Sequence, residues 1–194
     1  GFMWPILFIF IIGFVFVLER LYHLIKGLSS DEEFAQEIAE TVKQSGIDTA
    51  AAKCENAIGP VANLCISALG RAHLGVDEAE HALDHSGSIE MASMEKNMTW
   101  ISLCIATAPM LGFLGTVWGM IQAFNDIKMA NDISPAVVAG GISVALLTTA
   151  FGLVVAVVLQ IFQNAVLYII DNQIVTLQKS TTMLLHAIKD SGKD

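Results

Sequence analysis

Three threonines within otherwise apolar stretches are the first candidates for chemistry in this 194-residue chain. Thr107 lies in the uncharged segment Trp100–Phe124, and Thr148 and Thr149 lie in a second uncharged segment, Ala136–Ile170. A threonine hydroxyl in such a segment either donates to the carbonyl four residues earlier in its own helix or faces a polar path, where it meets water, an ion or a carboxylate. The sequence leaves both roles open.

Small residues recur at helical spacing in the same two segments. They are Gly112, Gly115 and Gly119 in the first segment and Gly141, Ala145, Gly152 and Ala156 in the second. Small side chains let helix backbones approach closely where lipid provides no hydrophobic force for association, so these residues are candidates for helix packing. Pro109 is grouped with them because it removes a backbone donor and favours a kink.

The composition is typical of a membrane protein. Hydrophobic residues make up 54% of the chain and charged residues only 15%, a combination that is rare in soluble domains of this size. The formal net charge is −9, and most of the 19 acidic residues fall between Asp31 and Glu95. This charge excludes a basic nucleic-acid-binding surface, and the acidic region is typical of a solvated domain.

The sequence carries no motif of a common enzyme or metal site. Walker A and GxSxG motifs are missing. His81 and His85 have a spacing that zinc uses, but no third ligand accompanies them, so a solvated acidic helix is favoured. Cys54, Cys65 and Cys104 form no CxxC motif and are expected to be buried free thiols. We expect no enzymatic activity, no catalytic residue, no metal and no cofactor.

Apolar residues follow helical periodicity and no strand pattern appears, which predicts an all-α membrane protein with three transmembrane helices and long cytoplasmic helical extensions. A helix through Ile89–Met98 is predicted to continue directly into the second span. The predicted organisation is a first transmembrane helix and cytoplasmic exit at 1–26, a cytoplasmic helical domain at 27–99, a second transmembrane helix at 100–124, a periplasmic turn at 125–135, a third transmembrane helix at 136–170 and a cytoplasmic C-terminal helix at 171–194.

Basic residues predict the orientation of these spans. Of the ten Lys and Arg residues, only Lys128 lies in the turn between the second and third spans. Since Lys and Arg are enriched on the cytoplasmic side, we expect a multi-pass protein of the bacterial inner membrane, with its N-terminus in the periplasm and its C-terminus in the cytoplasm.

Two linked motifs resemble those of the MotA/TolQ/ExbB proton-channel family. The segment from Thr107 to Met120, TAPMLGFLGTVWGM, resembles the second transmembrane helix of that family, and the segment from Gly141 to Leu153, GISVALLTTAFGL, resembles the third. Leu18-Glu-Arg-Leu at the exit of the first helix is similar as well. The form of the first motif is closest to the ExbB branch, with TolQ next.

The resemblance implies a homopentameric ring that works with a single-span partner of the ExbD/TolR type, which brings a membrane-embedded Asp. Proton motive force would then drive mechanical work on a TonB-like protein for outer-membrane uptake. By position, Thr107 and Thr149 match the threonines that face the family's central pore, and Thr148 is expected beside them. Many members carry a Glu where this chain has Val144, so the coupling ion is the proton or, alternatively, sodium.

The sequence leaves other functions open. A TolQ-like or flagellar-stator-like motor subunit is the nearer alternative, since a flagellar-type stator also lacks the Glu that Val144 replaces. A non-conducting membrane scaffold, in which the glycines serve only packing, is the other alternative. If the chain is a subunit of any of these motors, the titrating group comes from a partner, because neither the second nor the third span contains an Asp, Glu, Lys, Arg or His.

Overall fold

The computed structural model describes residues 2–27, 31–130 and 135–191, and in these ranges the regular structure is entirely helical. The helices are α1 (Met3–Gly27), α2 (Asp31–Ser45), α3 (Ile47–Glu55), α4 (Pro60–Ala72), α5 (Val76–Met94), α6 (Met98–Ala130) and α7 (Pro135–Ser191). Three segments of the described chain, 3–25, 76–129 and 139–191, contain helices that are long and apolar enough to cross a membrane. The predicted all-α fold with three such helices is confirmed.

The chain divides into two compact units. Unit 1 comprises residues 1–21 and 97–166. Its core is a cluster of buried apolar side chains from three helices: Ile6, Cys104, Ala108, Val155 and Leu159. Many large apolar side chains on its outside are exposed, among them Trp4 (75% exposed) and Phe113 (66% exposed). Apolar surface on this scale needs lipid or protein around it.

Unit 2 comprises residues 22–96 and 167–194 and is built like an ordinary soluble helical domain. Its fully buried side chains include Ile38, Val42, Leu64, Leu83, Leu184 and Ile188. Ion pairs between exposed side chains join its helices: Lys43 lies 3.4 Å from Asp190, and Lys189 lies 3.2 Å from Glu80. Amphipathic helices that bury one apolar face and solvate the other account for the acidic composition of this region.

Cys54 of α3 and Cys65 of α4 are brought together in unit 2, although their spacing in the sequence shows no clustering. Both are fully buried free thiols that share a hydrogen bond. This bond and burial raise the pKa of Cys65 well above its usual value, whereas the bond from Cys65 lowers the pKa of Cys54.

The predicted continuous helix from Ile89 into the second span is wrong. Helix α5 ends at Met94 and α6 begins at Met98, and Asn97 between them has a φ of 66°. Asn tolerates this left-handed conformation better than most residues, and its side-chain Nδ2 donates to Glu19 Oε2 at 3.0 Å. Asn97 therefore breaks the helix at the entry to α6, which helical periodicity alone does not reveal.

The boundaries between the predicted second span, turn and third span also differ from the structure. Helix α6 continues to Ala130, so Asn125–Ala130 is helix and not turn, and the rest of the predicted turn up to residue 134 lies outside the described residues. The predicted third span and C-terminal helix form one helix of 57 residues, about 85 Å long. Polar residues in a sequence indicate where a helix leaves an apolar environment, but the helix itself can continue beyond that point.

Candidate functional site

Helices α6 and α7 approach each other so closely that only glycine fits at several positions. A Cβ atom added to Gly152 would lie 2.7 Å from the carbonyl oxygen of Ala108, and one added to Gly112 would lie 3.1 Å from the Cα atom of Thr149. Because these neighbours are backbone atoms, they cannot move aside as a flexible side chain can. The two glycines thus bring the backbones of α6 and α7 into direct contact.

The same contact extends toward the end of α6 and the start of α7. A Cβ atom at Gly119 would lie 2.8 Å from the Cβ of Ala145, and one at Gly141 would lie 2.6 Å from the Cβ of Ala123. Ala145 is 1% exposed and Ala156, farther along α7, is 9% exposed. The small residues on the two helices thus meet each other along the hairpin.

Pro109 lies inside α6 and is half-buried. The helix runs through it from Met98 to Ala130 as a single element.

The hydroxyl of Thr149 bonds across the helix contact and not within its own helix. Its Oγ1 donates to the Gly112 carbonyl oxygen at 2.9 Å and forms a short hydrogen bond with Thr116 Oγ1. Thr116 Oγ1 in turn lies 3.3 Å from two carbonyl oxygens, those of Gly112 and Ala145. Both threonines are half-buried, so each keeps part of its surface outside the contact.

Thr148 occupies a different environment from its neighbour in sequence. Its Oγ1 donates to the Val144 carbonyl oxygen at 2.9 Å, and its side chain is 5% exposed. A Cβ atom added to Gly115 would lie 2.5 Å from the Thr148 methyl carbon. The chain's own α6–α7 packing therefore covers Thr148, and its hydroxyl is satisfied by its own helix.

Thr107 is half-buried, and its hydroxyl also bonds within its own helix, donating to the Leu103 carbonyl oxygen at 2.8 Å. It lies nine residues before Thr116, and at about 100° per residue this spacing places the two on opposite faces of α6. A single chain thus directs Thr107 and the Thr116–Thr149 pair to different sides of α6.

Val144 is 66% exposed on α7, so a carboxyl at this position would also project away from the chain's own packing. The sequence contains no Asp, Glu, Lys, Arg or His between Lys96 and Asp126 or between Asp132 and Asp171. Within the described ranges, no group of three or more His, Cys, Asp or Glu side chains is placed to hold a metal ion. The polar atoms that the described parts of these segments offer are hydroxyls, amides and backbone carbonyls.

A second polar contact between α6 and α7 lies near the start of α6. Gln163 Nε2 donates to Ser102 Oγ at 2.6 Å, and Gln163 is 7% exposed. Gln160 Nε2 lies 3.3 Å from both Gln163 Oε1 and Asn164 Oδ1. In the sequence these amides are polar residues with no evident partner, whereas the fold makes them part of an interhelical network.

Thr116 is the residue that sequence reasoning missed. A signal for it exists: Thr116 lies four residues after Gly112, so it shares the small-residue face of α6 that packs on α7. That signal does not indicate which hydroxyl of α7 it meets, since the partner depends on the register of the two helices.

Comparison with known proteins identifies this arrangement with a family. The model of the MotA/TolQ/ExbB proton channel family matches residues 38–179, which include all of α6 and most of α7. The matched region contains every threonine and glycine described above for the α6–α7 contact.

The chain is also similar to proteins named for biopolymer transport. An ExbB homolog of this kind from Methanothermobacter thermautotrophicus is 31% identical over 165 residues, which cover 84% of this chain and 58% of that protein. A biopolymer transport protein ExbB-like 3 from Synechocystis is 25% identical over 91% of this chain and 85% of its own length. The biopolymer transport protein ExbB of Xanthomonas campestris is 38% identical over 78 residues, 40% of this chain and 31% of that protein.

Proposed function

Because the chain belongs to the MotA/TolQ/ExbB proton channel family, we propose that it is an ExbB-like stator subunit of an ion-driven motor in the bacterial inner membrane. In this role it joins an Asp-bearing single-span partner of the ExbD/TolR type and converts proton motive force into mechanical work. The work is done on a TonB-like protein and serves uptake across the outer membrane. The names of the relatives in biopolymer transport support this branch.

The observation that carries the proposal is the half-buried hydroxyl pair of Thr116 and Thr149 in segments without an acid or base. A hydroxyl can bind a cation or a protonated group but does not titrate near neutral pH. Ion-driven work needs a group that gains and loses the ion, so that group must come from another chain. A membrane-embedded Asp on the partner meets this need.

A ring of five chains brings together hydroxyl groups that lie apart in a single chain. Thr107 and the Thr116–Thr149 pair lie on different sides of α6, so the Thr107 side of one chain and the Thr149 side of the next line a common path only when copies stand side by side. The exposed apolar surface of unit 1 supports such contacts. In this assembly unit 2 lies in the cytoplasm and the α6–α7 turn in the periplasm, as the distribution of Lys and Arg favours.

The test is substitution of Thr149. Thr149→Val keeps the side-chain shape but removes the hydroxyl, so we expect it to abolish proton flux in liposomes that hold the chain with its partner, whereas Thr149→Ser retains most of the flux. Assembly should be unchanged in both variants. Flux in Thr149→Val equal to that of the unaltered chain would sink the pore role.

One observation favours a second candidate. Val144 stands where many ExbB and TolQ members have a Glu, and a flagellar-type stator also lacks it, so a sodium-driven motor subunit is the runner-up. Replacing the proton gradient by a sodium gradient in the same liposomes separates the two. If neither ion flows, with or without the partner, the non-conducting membrane scaffold is the function that remains.

A further inference from the structure

Two hydroxyl hydrogens must be distributed among the atoms around Thr116 and Thr149. Each hydroxyl has one hydrogen to donate and two lone pairs to accept with. The acceptors in reach are the carbonyl oxygens of Gly112 and Ala145 and the two hydroxyl oxygens themselves. The two Oγ1 atoms lie in direct hydrogen-bond contact, so one hydrogen must lie between them, since two oxygen lone pairs at this separation repel each other.

Two arrangements meet this condition and also place the second hydrogen on a carbonyl oxygen in reach. In the first, Thr149 donates to the Gly112 carbonyl and Thr116 donates to Thr149. In the second, Thr149 donates to Thr116, and Thr116 donates to the carbonyl of Gly112 or Ala145. Both hydrogens are used inside the α6–α7 contact in either arrangement, and only lone pairs remain for a ligand.

We propose that Thr116 is the positioning residue of Thr149 and that together they form a site that only accepts hydrogen bonds. Such a site binds a cation or a hydrogen-bond donor: a hydrated proton, a sodium ion or a protonated carboxyl, but not a carboxylate. The proposal rests on the proposed function for the path that this site faces, but the hydrogen-bond pairing itself does not.

The surroundings add no charge that would change this preference. Residues 2–18, 97–125 and 139–170, which include the parts of α1, α6 and α7 around the pair, contain no Asp, Glu, Lys, Arg or His. The selectivity of the pair for donors over anions therefore comes from the orientation of the two hydroxyls. The partial charges of the Gly112 and Ala145 carbonyl oxygens add to it, because they also favour a cation.

Thr116→Val tests this in liposomes that hold the full chain with its Asp-bearing partner. Valine keeps the shape of the side chain but removes the hydrogen bond to Thr149. We expect proton flux to fall about fivefold, which corresponds to one hydrogen bond of about 1 kcal/mol. Thr116→Ser, which keeps the hydroxyl, should restore the flux.

The pH profile of the flux provides a readout that a purely structural role would not change. Without Thr116, the Thr149 hydrogen has one acceptor inside the contact and not two, so this hydroxyl turns more readily to donate to the partner's ionised carboxylate. A hydrogen bond to the charged form lowers the pKa of a carboxyl, so the midpoint of the profile should move to lower pH in Thr116→Val but not in Thr116→Ser. Unchanged flux and an unchanged midpoint would overturn the proposal.

The stability of the purified chain separates this inference from the proposed function. If the unaltered chain conducts no ion with its partner, the proposed function fails. The pairing is then judged by unfolding in detergent, where the loss in Tm of the double variant Thr116→Val/Thr149→Val should be smaller than the sum of the two single losses. Additive losses would overturn the pairing, because substitutions at residues in contact are coupled and those at independent sites are not.

Discussion

At the residue scale, three threonines of the same chemistry have three different surroundings. Thr148 is covered by the α6–α7 packing, Thr107 bonds to its own helix, and Thr149 bonds to the opposite helix through Gly112 and Thr116. The hydroxyls therefore differ in what they can offer a ligand. For Thr107 and Thr149 the pore-lining role stays a prediction, and Thr148 lies in the helix contact.

Val144 is the residue at which a titrating group can be added to this chain. Because its side chain is 66% exposed, Val144→Glu should leave the fold intact and place a carboxyl that can exchange protons. We expect proton flux with the partner to rise by up to roughly a hundredfold, the lower end of what a positioned acid–base group contributes. Val144→Gln is the control of similar shape, and equal flux in the two variants would contradict a proton-transfer role at this position.

At the scale of elements, the hairpin of α6 and α7 depends on close backbone approach. Gly152 meets backbone atoms of Ala108 and Gly112, whereas Gly140, one turn from the start of α7, has no atom within 4 Å of an added Cβ. The two glycines lie in the same helix but differ completely in the space around them. This contrast provides a matched pair of variants.

Gly152→Ala should lower the free energy of unfolding by about 1–3 kcal/mol, since the added methyl group forces the two helices apart. Gly140→Ala should change it by less than about 1 kcal/mol, because the methyl group enters open space and alanine favours a helix. Thermal unfolding of the detergent-solubilised protein measures both. Equal losses in the two variants would show that the close contact does not determine the stability of the hairpin.

At the scale of the whole molecule, the two units have surfaces of different character. Unit 1 exposes many large apolar side chains, whereas unit 2 exposes most of the chain's charges and fewer large apolar side chains. A surface divided in this way belongs to a protein with one part in lipid and another in water.

The orientation can be read with single cysteines and a membrane-impermeant maleimide applied to intact spheroplasts. Met129→Cys, at an 85% exposed position, should react from outside, and Ile89→Cys, at a 55% exposed position, should react only after permeabilisation. The native cysteines can stay, because Cys54 and Cys65 are fully buried and Cys104 is 7% exposed. The reverse pattern of labelling would invert the proposed topology.

The assembly is measured by the native mass of the solubilised chain. If five chains form a ring, the native protein mass should be five times the 20.8 kDa of one chain. We expect this ring because it covers exposed apolar surface of unit 1 between neighbouring chains. A protein mass of a single chain would count strongly against a channel formed between copies.

The sequence by itself determined the all-α membrane class, the segments long enough to span, the small-residue faces and the motifs from Thr107 and from Gly141. These features follow from composition and local periodicity, which a helix expresses whatever it packs against. Only the tertiary structure decided that Asn97 interrupts the helix before the second span and that Thr116 meets Thr149. A hydroxyl's partner depends on the register and rotation of two packed helices, here between residues 33 positions apart, and local spacing does not contain that information.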